Sequence, residues 1–189
     1  GTIVECNTAY PGERNTTDAH RRTMIKHGWS KLFDVDILDA EGPDLELPIP
    51  NGKRIQKNLV GKDIKNYDSM LVLSHFKGHP MGGFGGALKQ LSIGCASSAG
   101  KANIHGAGKP EEMWTTEQNA FLESMADAAE SVVKLFDGKI VYINVMKNMS
   151  VDCDCCAVAE DPCMKDIGIL ASLDPIAIDQ ACLDLVYAS

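Results

Sequence analysis

The chain has 189 residues, a formal net charge of −8 and seven cysteines. Its length suits a single α/β domain covering residues 1–189. The negative charge, spread along the chain without a basic stripe, argues against nucleic acid or an anionic membrane as a partner. No apolar run approaches the ~20 residues that span a bilayer, and the start lacks a signal-peptide pattern, so we expect a cytoplasmic protein. The chain starts inside a strand pattern and stops inside a helical one, so we expect truncation at both ends.

The first part of the chain alternates strand and helix patterns. Residues 3–6 form a short apolar strand pattern. Residues 16–18 are good N-cap residues for a helix that ends at Gly28. Apolar side chains at 33, 35 and 37 alternate with aspartates, which indicates a half-buried strand.

A hairpin interrupts this alternation. Residues 45–49 again alternate apolar and polar, and Asn51-Gly52 is the strongest short hairpin signal. Residues 53–60 are predicted to return as the second strand. The pattern predicts a small β-hairpin flap added to the domain.

The remaining elements complete an α/β pattern. We expect strands at 69–74, 140–145 and 166–171, and helices from Ala87 and from Asp174. Thr115 and Gln118 have the spacing of a capping box for a helix ending at Phe136. Alternating strands and helices predict a three-layer α/β/α domain with a mostly parallel sheet.

The segment from residue 74 to 105 is rich in glycine and holds three of the five histidines. Dense glycines occur where the backbone bends sharply or comes close to another group. The spacing matches neither nucleotide-binding fingerprint, but a glycine-rich loop before a helix can hold an anion. The predicted cofactor-binding residues are therefore the loop glycines and two lysines: Lys77, Gly82, Gly83, Gly85, Gly86 and Lys89. The alternative is a loop folded tightly only for packing.

Two histidines follow the carboxyl end of a predicted strand, the edge at which open α/β sheets bind ligands. They are His75 and His79, separated by Lys77 and Gly78. One interpretation gives these imidazoles a ligand, substrate or metal role. The other gives them only local hydrogen bonds within the loop.

A cysteine cluster is the second strong signal. It comprises Cys153, Cys155, Cys156 and Cys163, set among acidic residues. Nearby negative charge raises thiol pKa values unless a cation is bound, so a soft metal would suit these thiols. The predicted cofactor is zinc, iron or an iron–sulfur cluster, and its predicted ligands are these four cysteines together with His75 and His79. A dithiol/disulfide redox pair and small buried residues are the alternatives.

Several long motifs resemble one family. They are HFKGHPMGGFGGALKQLSIGCASSAGK, VDCDCC and DIGILASLDPIAIDQACLDL, with NTAYPGERNTTDAH near the start. This chain resembles the uncharacterised iron–sulfur centre proteins, a domain of unknown function numbered 362. The resemblance implies that many members of that family carry a ferredoxin-type module after the stretch that matches residues 100–105. Only residues 106–114, without a cysteine, stand there in this chain.

Three functions follow as hypotheses. The first is a metal-binding or redox protein whose site lies at the carboxyl edge of the sheet, where His75, His79, Cys153 and Cys155 meet. The second is a module that binds phosphate or another small anion without catalysis and serves an electron-transfer assembly. The third is a structural partner domain. The first two predict a small anionic ligand or an electron-transfer partner.

Overall fold

The computed structural model describes residues 1–153, 158 and 160–189, and these form a mixed α/β structure. Strand β1 (Thr2–Glu5) pairs in parallel with β2 (Asp34–Ile37). Helix α1 (Thr17–Lys26) connects them, and the side chain of Thr16 accepts a hydrogen bond from the amide of Ala19. The predicted N-cap region is therefore confirmed.

The predicted hairpin is present, formed by β3 (Leu45–Pro48) and β4 (Lys57–Val60) in antiparallel pairing. Its apolar side chains Leu47, Ile49 and Val60 are buried. The hairpin is therefore part of the core, which corrects the prediction of an added flap.

One carboxylate fastens the loop of this hairpin to the long helix α4 (Gln118–Phe136). The oxygens of Asp127 accept hydrogen bonds from the backbone amides of Lys53, Arg54 and Ile55, at 3.0, 2.7 and 3.1 Å. Such a contact satisfies three amides that the loop itself leaves unpaired.

The central sheet has three strands in the order β5 (Met70–His75), β8 (Ile140–Met146), β9 (Gly168–Ser172). β5 and β8 are parallel, but β8 and β9 are antiparallel. A parallel β8–β9 pair would need a crossover, usually through a helix, and no helix is described between them. The prediction of a mostly parallel sheet is corrected to short, mixed sheets, and the three-layer arrangement stays a prediction.

Between β5 and β8 the chain forms a small hairpin and three helices. The hairpin pairs β6 (Lys77–His79) with β7 (Gly83–Gly85), and the helices are α2 (Ala87–Lys89), α3 (Ser98–His105) and α4. α2 continues into a π-helical turn, Gln90–Gly94.

Two helix starts test the sequence signals. Glu117 caps α4 by accepting a hydrogen bond from the amide of Ala120 at 2.9 Å, so the predicted capping box on Thr115 is wrong. The last helix, α5 (Pro175–Tyr187), begins as predicted, because Asp174 accepts from the amides of Ile176 and Ala177.

The core lies on one side of the central sheet. There, Val72 of β5 and Tyr142 of β8 pack with Val132 of α4 and Ile178 of α5 in one buried cluster. Of the helices within the described residues, none has the length and apolar character required to cross a membrane.

Candidate functional site

The glycine-rich loop is held closely against the start of the cysteine segment. The amide of Gly78 donates to the carbonyl oxygen of Ser150 at 2.9 Å. A Cβ atom on Gly78 would lie 1.7 Å from the carbonyl oxygen of Val151, so only glycine fits. The two segments that the sequence singled out are therefore in direct contact.

A side chain of the protein itself, the carboxyl group of Asp179, occupies the start of helix α2. The carboxylate of Asp179, which is 2% exposed, accepts from the amides of Ala87 at 2.7 Å and Leu88 at 3.0 Å. The side-chain amide of Asn144 donates to the same carboxylate at 2.7 Å. A Cβ atom on Gly86 would lie 2.4 Å from an Asp179 oxygen, which explains the glycine. Burial raises the pKa of Asp179, whereas these three hydrogen bonds lower it.

Two lysine side chains converge on the face of the loop at Gly85. A Cβ atom built on Gly85 would lie 3.6 Å from Nζ of Lys77 and 3.4 Å from Cδ of Lys89. Lys89 Nζ is also 3.9 Å from Sγ of Cys153, which is 3% exposed. The arrangement places two positive charges and a thiol around one glycine.

Two buried imidazoles each stack on the ring of Phe121. The ring of His79 lies 6.5 Å and that of His105 5.0 Å from the Phe121 ring, centroid to centroid. His79 Nδ1 accepts from the amides of Met81 at 3.2 Å and Gly82 at 2.9 Å, so in the neutral ring the proton is on Nε2.

His105 has the opposite arrangement of donor and acceptor. Its Nδ1 lies 2.7 Å from the carbonyl oxygen of Lys101 and must donate to it, which leaves Nε2 without a proton in the neutral ring. The pKa of His105 is lowered to about 4, chiefly by burial and also by Lys89, His79 and Lys101, against the raising effect of the hydrogen bond to Lys101. His105 is therefore a neutral acceptor at pH 7.

A second buried polar cluster, formed by Lys101 and Asp39, connects the segment after β1 to helix α3. Lys101 Nζ donates to the carbonyl oxygens of Ala96 at 2.6 Å and Cys6 at 3.4 Å, and so ties the end of β1 to helix α3. Burial lowers the pKa of Lys101, and the Cys6 and Asp39 side chains counteract this effect. The carboxylate of Asp39 links the same segments by accepting from the amides of Asn7 and Ser98, both at 2.9 Å.

The predicted metal ligands do not form a metal site among the described residues. No group of three or more His, Cys, Asp or Glu side chains within this part of the chain is placed to hold an ion. His75 Nε2 instead bonds to the carbonyl oxygen of Lys147 at 2.7 Å. Cys163 donates from Sγ to the carbonyl oxygen of Met149. Cys155 and Cys156 lie outside the described residues, so the metal set that includes them stays a prediction.

Sequence reasoning missed two residues of this site. The helical pattern after Asp174 predicts only a helix-face position for Asp179, and no pattern assigns a role to His105, although it ends the glycine-rich segment. Asp179 is separated from Ala87 by 92 positions, so no local pattern reveals their contact. For His105 the signal was its place in the segment that also holds His75 and His79.

Comparison with known proteins places the chain in a family. A family model described as "Domain of unknown function (DUF362)" matches residues 2–184. The chain belongs to the DUF362 family. The iron–sulfur link of the DUF362 resemblance and the missing ferredoxin module stay predictions. No curated protein matches the chain.

One solved structure shares the fold of this DUF362 chain. It is the structure of the lactate racemase apoprotein from Thermoanaerobacterium thermosaccharolyticum. Its TM-score with this chain is 0.58, and the two sequences are 15% identical. The match covers 96% of this chain and 40% of the racemase chain, so the chain spans less than half the length of that protein. At this identity the likeness concerns the fold alone.

Proposed function

We propose that this DUF362 chain binds a small organic anion between Lys77 and Lys89 and orients it with His79 and His105. The observation that carries this proposal is the convergence of both lysine side chains on Gly85. Lysine ammonium groups are strong donors to carboxylate and phosphate oxygens. The lactate racemase that shares the fold acts on a small carboxylate, which supports an anion of this class.

The two imidazoles would orient the bound anion. Neutral His105 has an acceptor nitrogen, and His79 in its neutral form has a donor nitrogen. Nε2 of His105 would accept a hydrogen bond from a hydroxyl group of the anion, and Nε2 of His79 would donate one to it. The Nδ1 atoms of both rings already bond to the backbone, so Nε2 is the atom that each ring offers to a ligand.

Calorimetric titration with lactate and with inorganic phosphate tests the anion site. We expect Lys89→Ala to weaken binding by roughly 10- to 100-fold, because one charge-assisted hydrogen bond is lost. Lys139→Ala is the matched control, because this exposed lysine precedes β8 at the opposite, amino-terminal edge of the sheet. Unchanged affinity in Lys89→Ala, or no binding of either anion to the wild type, would contradict the proposal.

Titration at about pH 5 in buffers of different ionisation enthalpy counts the protons taken up on binding. A bound anion beside His105 would raise the pKa of this imidazole from about 4, so we expect the wild-type chain to take up protons from the buffer and His105→Gln to take up fewer. His27→Gln, at an exposed position after helix α1, is the control. Equal proton uptake in wild type and His105→Gln would mean that the anion does not lie beside His105, and it would leave the lysine site unaffected.

A metal-dependent or redox function in a cytoplasmic protein is the second candidate, with an electron-transfer partner. It is favoured by the contact of Gly78 with Ser150, which brings the start of the cysteine segment to the same loop. Cys153, Cys155, Cys156 and Cys163 would hold zinc, iron or a cluster, which would supply Lewis-acid or redox chemistry. In the described part of the chain no cysteine is in a disulfide, in line with a reducing compartment.

Metal analysis of protein purified without added metal tests this candidate. It predicts close to one equivalent of metal per chain, lost in Cys153→Ser and retained in Cys95→Ala. Cys95 is a suitable control because burial raises the pKa of its thiol to about 12. Far less than one equivalent, unchanged by Cys153→Ser, would reject the metal.

A further inference from the structure

One face of the central sheet is apolar and exposed. We call it the open sheet face; its outward side chains are Leu71 and Leu73 of β5, Val141 and Ile143 of β8, and Ile169 of β9. Leu71, Leu73, Val141 and Ile169 are 54%, 61%, 42% and 69% exposed. The side chains that alternate with them, such as Val72, Ser74 and Tyr142, are buried on the other face.

The strand register makes this surface continuous. Leu71 lies opposite Val141, and Leu73 lies opposite Ile143. Across the next strand pair, Val145, which continues the alternation of Val141 and Ile143 along β8, lies opposite Ile169. Opposed side chains on one face of a sheet are about 5 Å apart, so these residues form a single patch rather than scattered exposed groups.

The sequence of these strands is typical of a sheet covered on both faces. β8 reads Ile-Val-Tyr-Ile-Asn-Val-Met, with an apolar side chain at nearly every position. Helices α2, α4 and α5 pack on the inner face only. A contiguous apolar patch on the order of 400 Å² on a protein surface commonly marks an association site.

We propose that the open sheet face packs against the same face of a second copy of this chain in a two-fold symmetric dimer. A flat apolar sheet face is its own complement, and two such faces pack about 10 Å apart with interdigitated side chains. The arrangement needs no partner other than the chain itself.

Charge supports a second copy in this position. The chain carries a net charge of −8, which would repel another copy at most surfaces. None of the five side chains that define the open sheet face is charged. Two copies therefore meet here without placing carboxylates against each other.

The composition of the surface also fits a dimer. A standard interface buries about 800 Å² per partner, with an apolar centre and a polar rim. The open sheet face would supply such a centre, and Leu173, which directly follows β9 and is 76% exposed, would extend it.

Sedimentation velocity over a range of concentrations tests the dimer. We expect the wild-type chain to have twice the monomer mass at tens of micromolar, and Leu73→Glu to associate at least roughly 100-fold more weakly, because it buries a carboxylate from each copy in an apolar interface. Leu135→Glu, on the outer side of α4 and thus behind the opposite face of the sheet, is the control and should remain dimeric.

Hydrogen exchange of the wild-type chain tests the same interface without a substitution. Protection in β5, β8 and β9 should rise with protein concentration, while that in β3 and β4 stays constant. A wild-type chain that is monomeric at these concentrations, or a folded Leu73→Glu chain that remains dimeric, overturns the proposal. Either result would mean that the open sheet face does not pack against a second copy of the chain.

Discussion

At the scale of single residues, the carboxylate of Asp179 decides where Lys89 lies. It accepts from the two amides that begin α2, two and one positions before that lysine. The hydrogen bond from Asn144 fixes the carboxylate from the side of the sheet. Asp179 therefore connects α5, β8 and α2 at the point where the glycine loop ends.

Replacing Asp179 by Asn should destabilise the fold and weaken anion binding together. The amide group would place a donor against backbone donors, and each unpaired amide costs about 1–3 kcal/mol. Asp174→Asn on the same helix is the control, because Asn is equally good at an N-cap. Chemical denaturation and the calorimetric titration measure both effects. Equal stability of the two variants would show that the Asp179 contacts contribute little.

Two buried histidines should make the protein sensitive to mild acid. Burial lowers the pKa of His20 and of His105 to about 4 in each case, from the ordinary value of 6.5. Below pH 6.5 the unfolded chain binds more protons than the folded one, so the free energy of unfolding falls as pH decreases towards 4. Each histidine accounts for up to about 3 kcal/mol of this loss.

Urea denaturation between pH 8 and pH 4 measures the dependence. We expect His105→Gln to be less sensitive to pH in this window than the wild type, whereas exposed His27→Gln should follow the wild type. A His105→Gln chain with the full wild-type slope would mean that folding does not lower the pKa of His105.

At the scale of elements, the β6–β7 hairpin is positioned by contact with a distant segment and not by its own length. Each of its strands has three residues. Such a short isolated hairpin is not stable in water. The hydrogen bond from Gly78 to Ser150 and the absence of a side chain at Gly78 allow the two segments to touch.

Gly78→Ala should therefore displace the hairpin. Its Cβ atom would meet backbone atoms of Val151, at 1.7 to 2.9 Å, which cannot move aside like a flexible side chain. We expect a loss of several kcal/mol in the free energy of unfolding, on the order of 2–4 kcal/mol, and much weaker anion binding. Gly12→Ala, where no atom lies within 4 Å of the new Cβ, should be close to neutral. Similar stability of the two variants would contradict this contact.

The β3–β4 hairpin depends on α4 in a comparable way. Asp127→Ala would leave three backbone amides of the hairpin loop without their acceptor. We expect a loss of about 2–4 kcal/mol and faster hydrogen exchange at residues 53–55. Glu130→Ala, which removes only an exposed ion pair with Lys134, should cost less than about 1 kcal/mol. Unchanged exchange at residues 53–55 would show that the loop holds its own conformation.

At the scale of the whole molecule, the hairpin, the central sheet and the helices share buried contacts. One cluster includes Leu47 of the hairpin, Val72 and Tyr142 of the sheet, and Val132 of α4. We therefore predict that residues 1–189 unfold as a single cooperative unit. Far-UV circular dichroism and the fluorescence of Trp29 and Trp114 should give the same midpoint. Two separate transitions would indicate two domains.

The local elements could be predicted from the sequence because their signals are local. Thr16 and Asp174 cap helices within their own turn, and apolar runs mark β5 and β8. The glycine-rich loop and its lysines were also recognisable, since glycine is required where backbones approach closely. The capping-box spacing of Thr115 and Gln118, by contrast, gave a wrong start for α4, because Glu117 is the cap and accepts from the amide of Ala120.

What only the tertiary structure decided are the contacts between distant segments. The direction of β9, the contact of Asp179 with α2 and the stacking of His79 and of His105 on Phe121 all join residues far apart in the chain. The sequence by itself determined which segments are strands, helices or tight loops, because those depend on neighbouring residues. Which of these segments contact each other depends on the packing of the whole core. That packing brings together the residues of the candidate site.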